Sequence, residues 1–398
     1  MASWQALRSQ LLKHRTILII YVLMTIVASI HLYSLGASHE FGGRMYTEYN
    51  NYIIFKNSFF HLIGGKDLYI WHLDEQWDLY KYSPTFALAM GSLAYLPDVV
   101  GLIIWNLVNT LVLYAAIRML PLGDKKISLL LWFIALELLT TLQSSQSNAL
   151  LGGLLIGAFA LLERRKTMMA TLLLVAATFI KVYGAIGFAL FLFYPDKVKF
   201  IFWSAFWTVL FFFIPLVVLS PQELIAQYQS WARMMGEDQS VSFGFSIMGW
   251  LHSWFGLGGV KNIVIGLGIL LFFIPLMRYR QYGNLLYRML FLAFMLIWVI
   301  IFNHKAESST FIIAVTGIAI WYFAHEPATW RKVMLWVVFI FTCLSPTDLF
   351  PPAVRNGFFV PYVIKVVPCI MVWCIVFAEL MRVKKEDASA APDRLSLN

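Results

Sequence analysis

Long apolar runs separated by short polar turns dominate the chain. Sustained hydrophobicity covers 17–36, 98–119, 127–143, 148–162, 167–180, 183–194, 199–219, 260–277, 285–302, 308–324, 331–345 and 361–381. A membrane-crossing helix needs about 20 predominantly apolar residues, so this pattern predicts an all-α, polytopic transmembrane helical bundle of about 12 spans. The run 83–96, bounded by Pro84 and Pro97, is short and is read as re-entrant. Two longer polar segments stand out, 37–82 and 220–259. In the first, Tyr49, Ile53, Lys56, Phe60 and Ile63 recur at helical spacing behind Thr47, a capping residue type, which predicts a helix over 47–63. In the second, Leu224, Tyr228, Trp231 and Met235 form one stripe, which predicts an amphipathic helix over 222–235 lying in the membrane interface. No internal repeat or linker divides the chain. The expectation is a single domain over 1–383 and a disordered tail over 384–398.

Composition sharpens this picture. Apolar residues make up 60% of the 398, charged residues only 13%, and the mean hydropathy is +0.74. Soluble domains are about one quarter charged, so a soluble enzyme, a disordered chain and a small disulfide scaffold are excluded. The 30 basic residues exceed the 21 acidic ones, for a net charge of +9. They sit mostly in short turns between apolar runs, which points to membrane orientation rather than to nucleic acid. With the N-terminus in the cytoplasm, 20 of the 30 fall on that side, in clusters such as Arg8–Lys13–Arg15, Arg164–Arg165–Lys166 and Arg278–Arg280–Arg288. Both termini are then cytoplasmic, and 37–82, 220–259 and the turns 143–148, 303–308 and 345–357 face the opposite side. The first apolar run is too long for a cleaved signal, whose apolar part is about 7–15 residues, and reads as an uncleaved span. Cys343, Cys369 and Cys374 form no CxxC pair and suggest neither a disulfide framework nor a metal site.

Nucleotide phosphates are held by glycine-rich nests or by metals on carboxylate clusters. The sequence has no G-x-G-x-x-G, no G-x-x-x-x-G-K-[ST], no H-E-x-x-H and no Asp-x-Asp. Chemistry-bearing residues gather instead in the polar segments: Glu48-Tyr49 with Tyr52, Gly65-Lys66-Asp67-Leu68-Tyr69, Tyr82-Ser83-Pro84, Gln146 with Asn148, and Ile180-Lys181. This ordered set resembles the GT-C class of membrane glycosyltransferases that use polyprenyl-phosphate sugars, and specifically glycosyltransferase family 87, which includes phosphatidylinositol-mannoside mannosyltransferases. The family shows an acid and aromatics at the start of a loop helix, then G-x-[DN]-x-Y, Y-x-P, G-Q-x-N and I-K-P elements. Three departures are visible: Glu48 stands where the family usually has Asp, Ser145 where it has Gly, and Val182 where it has Pro.

The resemblance implies a GT-C fold and a multi-pass protein of the inner membrane with its active site on the outer face. It also implies transfer of a hexose, mannose being the familiar case, from a polyprenyl-phosphate donor to a lipid-linked or glycan acceptor, with inversion at the anomeric carbon. Glu48 is implied as the general base. Its bland alternative is a carboxylate that merely complements a helix N-terminus, worth about 0.3–1 kcal/mol. Lys181, His304, Lys305 and Arg44 are the candidates for the donor phosphate. Tyr52, Tyr82, Gln146 and Asn148 are candidates for sugar or acceptor hydroxyls. For Lys181 the alternative is a snorkelling lysine, and for Gln146 and Asn148 it is helix capping. Asp67 reads as a turn residue, the DEQWD run (74–78) as a solvated loop, and Glu137 as an acid within a span that is either functional or paired with a neighbouring helix. No cofactor or metal enters this reading, and the partners are the lipid-linked donor, the acceptor and membrane lipids, with no nucleic acid. The rival functions are a transporter or lipid-linked-sugar flippase, which would show repeated halves with discontinuous helices, and a non-catalytic scaffold.

Overall fold

A computed structural model describes residues 9–237 and 242–384. Most of the expected tail, 384–398, lies outside the described residues. The helices are α1 His14–Ser34, α2 Asn50–Ile63, α3 Pro84–Ala94, α4 Asp98–Arg118, α5 Asp124–Gln143, α6 Asn148–Glu163 and α7 Thr167–Ile180. They continue with α8 Lys197–Phe213, α9 Pro221–Glu237, α10 Ile247–Phe255, α11 Lys261–Leu276, α12 Leu285–Ile301, α13 Phe311–Ala324, α14 Thr329–Val338 and α15 Val367–Arg382. A single two-stranded sheet stands beside them among the described residues. All-α is therefore the fold class.

Five helices are long and apolar enough to cross a membrane: His14–Ser34, Asp98–Arg118, Asp124–Gln143, Lys197–Val217 and Ile364–Arg382. Most of the other apolar segments form shorter helices of 10–17 residues, so five spans by length stand where the hydropathy predicts about 12. The shortening has local causes. Residues Val182–Phe193 wind as a 3₁₀ helix, the segment after α14 as a π-helix over Phe339–Leu344, and Pro84 and Pro97 bracket α3.

The chain divides into two compact units, Met1–Phe188 with Val198–Val241, and Ala189–Lys197 with Ser242–Asn398. In the first, α4 packs along α6, α6 along α7, and α1 against α4 and α5. Gly153 makes the α4–α6 contact possible, because a Cβ there would lie 2.8 Å from the backbone nitrogen of Leu113. In the second, α12 packs on α13 and α15. Nearly every side chain from Met289 to Ile301 and from Phe311 to Trp321 is buried.

The polar segment 37–82 departs from expectation. Ala37–Phe41 (β1) pairs antiparallel with Arg44–Thr47 (β2), Phe41 opposite Arg44. Gly42 and Gly43 form the connection, both with positive φ (57° and 76°), a turn conformation that glycine alone adopts without strain. Thr47 therefore ends a strand instead of capping a helix. Helix α2 starts at Asn50 behind Tyr49, which makes no side-chain capping bond. The second amphipathic helix, α9, exists, but its buried face is Leu224, Gln227, Ser230 and Met234, while Met235 is exposed. The stripe is displaced because Gln227 and Ser230 bond to the 66–69 turn, as described below.

Candidate active site

Four of the predicted residues meet in the first unit. Lys181 caps the end of α7 in an extended conformation (φ −139°, ψ 124°), which turns the chain away from the helix axis. Its Nζ donates to Oδ1 of Asn148 at 2.7 Å and to Oε1 of Gln146 at 3.4 Å. Nδ2 of Asn148 donates back to Oε1 of Gln146 at 2.9 Å. The ammonium lies 5.7 Å from the ring centroid of Tyr82 and 5.7 Å from that of Tyr183, within reach of cation–π attraction. Gln146 and Asn148 are buried and Lys181 is half-buried.

The turn that carries Gln146 and Asn148 is fixed from several sides. Ser145 sits in the left-handed region at φ 52°, the conformation for which glycine is the natural residue. Its carbonyl accepts from the Trp105 indole at 2.8 Å, and the Ser144 carbonyl accepts from Nδ2 of Asn51 at 2.9 Å. The amide of Leu150, in the first turn of α6, donates to Oδ1 of Asn109 at 3.0 Å. The helix is thus capped from a neighbouring helix. Gln146 and Asn148 accept from Lys181, and the hydroxyls of Ser145 and Ser147 are buried with no hydrogen-bond partner among the described residues.

Aromatic packing holds the other side. The Tyr82 ring meets Phe55 edge-on at 4.9 Å, and Phe55 meets Trp105 edge-on at 5.3 Å. The Tyr82 carbonyl accepts from the Tyr69 hydroxyl at 2.9 Å, and the Ser83 carbonyl from the Tyr80 hydroxyl at 2.7 Å. Burial pushes the phenols of Tyr69 and Tyr80 well above their ordinary value, so both stay neutral donors. Asp67 is the turn residue the sequence suggests. Its Oδ1 accepts from the Tyr69 amide at 2.9 Å and its Oδ2 from Ser230 of α9 at 2.7 Å. Gln227 completes that clamp, accepting from the Leu68 amide at 3.2 Å and donating to the Lys66 carbonyl at 2.8 Å.

With this geometry in hand, the comparison with known families is decisive. The sequence matches the model of glycosyltransferase family 87 over residues 80–302, more than half of the chain. The chain belongs to glycosyltransferase family 87. None of the curated proteins searched matches it. The protein is therefore a glycosyltransferase, with a sugar donor and an acceptor as substrates, and its long apolar helices fit a membrane protein. Tyr82, Gln146, Asn148 and Lys181 lie inside the matched segment, Arg44, Glu48 and Tyr52 before it, and His304 and Lys305 just after it.

The remaining predicted residues of this glycosyltransferase are placed differently. Glu48 is exposed in the short link between β2 and α2, and its Oε1 accepts from the Ser38 hydroxyl at 2.7 Å. Arg44, on β2, donates to Asp74, which holds its guanidinium above the ordinary value. It does not join the Lys181 group. Tyr52 is fully buried, with its hydroxyl against Gly101, and it too stands apart from that group. Burial, assisted by Asp98, raises its phenol. His304 and Lys305 belong to the second unit, where the carbonyls of His304 and Ala306 lie against Gly244 and the Phe245 amide donates to the Ala306 carbonyl at 2.8 Å. Glu137 is completely buried in α5. In the DEQWD run Asp74 and Glu75 are exposed, as a solvated loop requires, while Gln76 is buried; Asp74 accepts from Arg44, and Glu75 pairs with His61 at 2.8 Å and with Lys66 at 3.6 Å.

Asn51, Trp105 and Asn109, which orient the candidate site, belong to none of the ordered motifs. A signal for one of them was present. Asn106 and Asn109 are amides in an apolar span, where a polar side chain is retained only when it has a bond to make. Asn51 and Trp105 carry no such mark, because their partners are backbone carbonyls more than 35 residues away in the chain.

Proposed function

We propose that this family 87 glycosyltransferase moves a hexose from a polyprenyl-phosphate donor to an acceptor hydroxyl at the outer face of a bacterial inner membrane. The donor phosphate is taken up beside Lys181. One observation carries this reading: the Lys181 ammonium is held at the N-terminal end of α6, where the preceding residue, Ser147, has a buried hydroxyl with no hydrogen-bond partner among the described residues. A helix N-terminus and an ammonium both favour an anion, and a hydroxyl adds a donor.

In the proposed step, Glu48 takes the proton of the acceptor hydroxyl as its oxygen attacks the anomeric carbon. The bond from that carbon to the phosphate oxygen breaks, polyprenyl phosphate leaves, and the configuration inverts. The leaving group is already activated by its phosphate, so the protein has two tasks: to place the base and to neutralise the departing charge. General-base catalysis contributes about 10²–10⁴-fold, or roughly 3–5 kcal/mol of barrier. Support for Glu48 comes from its place immediately before α2, whose Asn51 holds the Ser144 end of the turn that carries Gln146 and Asn148. Donor contacts are assigned to the first unit alone.

The test is transfer by purified protein in nanodiscs, with a lipid extract as acceptor source and EDTA present. A panel of polyprenyl-phosphate hexoses is set against the corresponding nucleotide sugars. Transfer from a polyprenyl-phosphate hexose, undiminished by EDTA, is expected. Transfer from nucleotide sugars alone, or activity abolished by EDTA, overturns the reading.

A further inference from the structure

A second concave feature of the first unit is separate from the Lys181 group. A cavity of about 410 Å³ lies at the foot of the β-hairpin, lined among others by Arg44, Thr47, Asn50, Leu73, Asp74 and Glu75. Its polar groups are mixed: a guanidinium, two carboxylates, two hydroxyls and an amide. An anionic headgroup asks for a surplus of donors, whereas a sugar hydroxyl both donates and accepts, and this lining offers both. The acidic groups outnumber the basic one, which disfavours phosphate.

Asn50 supplies an independent sign of a ligand. It is 4% exposed and lines the cavity, and its Oδ1 accepts from the Trp77 amide at 3.3 Å. Its Nδ2 is buried with no hydrogen-bond partner among the described residues. A buried unpaired amide is destabilising, and a bound hydroxyl that accepts from it would offset that cost.

We infer that this cavity is the acceptor subsite and that the acceptor it takes is a neutral, hydroxyl-rich sugar. The assignment deepens the proposed transfer and rests on its acceptor half. Asn50 lines the cavity, Asn51 bonds the turn of the Lys181 group, and Glu48 precedes both by two or three residues. The sugar could belong to a free glycan or to the head of a glycolipid, and the chemistry of recognition is the same.

Saturation-transfer NMR on the full chain in nanodiscs, corrected with empty nanodiscs, tests this without any donor. The probes are methyl glycosides of glucose, mannose and galactose, their octyl counterparts, and glycerol 3-phosphate. At least one neutral glycoside should receive saturation, with affinity reduced about fivefold in Asn50→Ala, as expected for one lost hydrogen bond. Thr47→Val, at a second residue of the lining, should show a comparable loss, and Lys181→Gln should retain the binding. A gain of tenfold or more for the octyl probe supports a glycolipid source, and equal affinity supports a free glycan. No transfer to any neutral glycoside, equal affinity in both cavity variants, binding of glycerol 3-phosphate alone, or loss in Lys181→Gln instead would overturn the inference. Because no donor is present, such a failure is distinct from failure of the donor assignment.

Discussion

The ammonium of Lys181 lies 2.7 Å from Oδ1 of Asn148, the first residue of α6. A cation at the end of one apolar helix is thereby fixed against the positive end of another. The C-terminal end of α7 favours the cation, and the side-chain oxygens of Asn148 and Gln146 accept from it, so it is held in place at the start of α6. Under the proposed function this is where the donor phosphate is taken up.

Removing the cation should therefore act on the step in which charge develops. Lys181→Gln is expected to lower kcat by about 10²–10³, the usual loss when one electrostatic stabiliser is deleted. Asn148→Ala leaves the charge but releases its position, so the donor KM should rise about tenfold with a smaller change in kcat. Steady-state kinetics with a varied lipid-phosphate donor separates the two effects. Equal loss in both variants would mean that the pair is structural.

Ser145 holds a left-handed conformation (φ 52°) with a buried hydroxyl that bonds to no described group. Ser145→Gly should relieve both costs and raise stability by about 0.5–1 kcal/mol, after allowance for the greater entropy of glycine in the unfolded chain. Ser145→Val should destabilise, since β-branching makes that conformation worse. Thermal unfolding in detergent reads both variants. The turn itself is preserved in the substitution to glycine, so transfer activity should be unchanged or higher.

The loop that follows α2 carries a pH dependence of definite sign. His61 is 3% exposed, its ring lies tilted against that of His72 with centroids 3.9 Å apart, and its Nε2 lies 2.8 Å from Glu75. Burial, and then His72, hold its pKa below the ordinary 6.5, against the pull of Glu75. Burial alone would raise Glu75, but its bond to His61 and the charges of His61 and Lys66 bring it below 4.5. Both groups bind fewer protons folded than unfolded, so stability is full above about pH 6.5 and falls with acid, first through His61 and below about pH 4.5 through Glu75. Unfolding temperature measured from pH 8 to pH 4 should decline in this order. His61→Gln, which keeps a donor for Glu75, should flatten the upper part of the curve. A profile indifferent to the substitution would contradict the assignment.

Much of this architecture is legible in the hydropathy, because burial in lipid or in a helical core demands continuous apolar sequence and the turns between are short and polar. The boundaries of α4, α6, α7 and α12 fall within a few residues of the apolar runs. The number of crossings is not legible in the same way, since a 14-residue helix and a 21-residue helix look alike until 3₁₀ and π segments shorten the former. The hairpin is missed despite its Gly42-Gly43 turn, for its strands are only five and four residues long and mostly exposed. The stripe on α9 is misread because two polar side chains, Gln227 and Ser230, face inward to bond the 66–69 turn. Of the candidate site, the cluster of Lys181, Gln146, Asn148 and Tyr82 is drawn from the ordered motifs. Asn51, Trp105 and Asn109 act through contacts that only the folded chain creates.

The central claim is that a carboxylate just ahead of α2 takes the acceptor proton. It is tested most directly by single-turnover transfer from the polyprenyl-phosphate hexose with Glu48→Gln beside the wild type at saturating donor. Glutamine keeps the size and can still meet Ser38, so the two proteins differ chiefly in basicity. A rate lower by about 10²–10⁴ with donor binding intact is predicted. A rate within about twofold of the wild type, which is less than any measurable base contribution, would contradict the account.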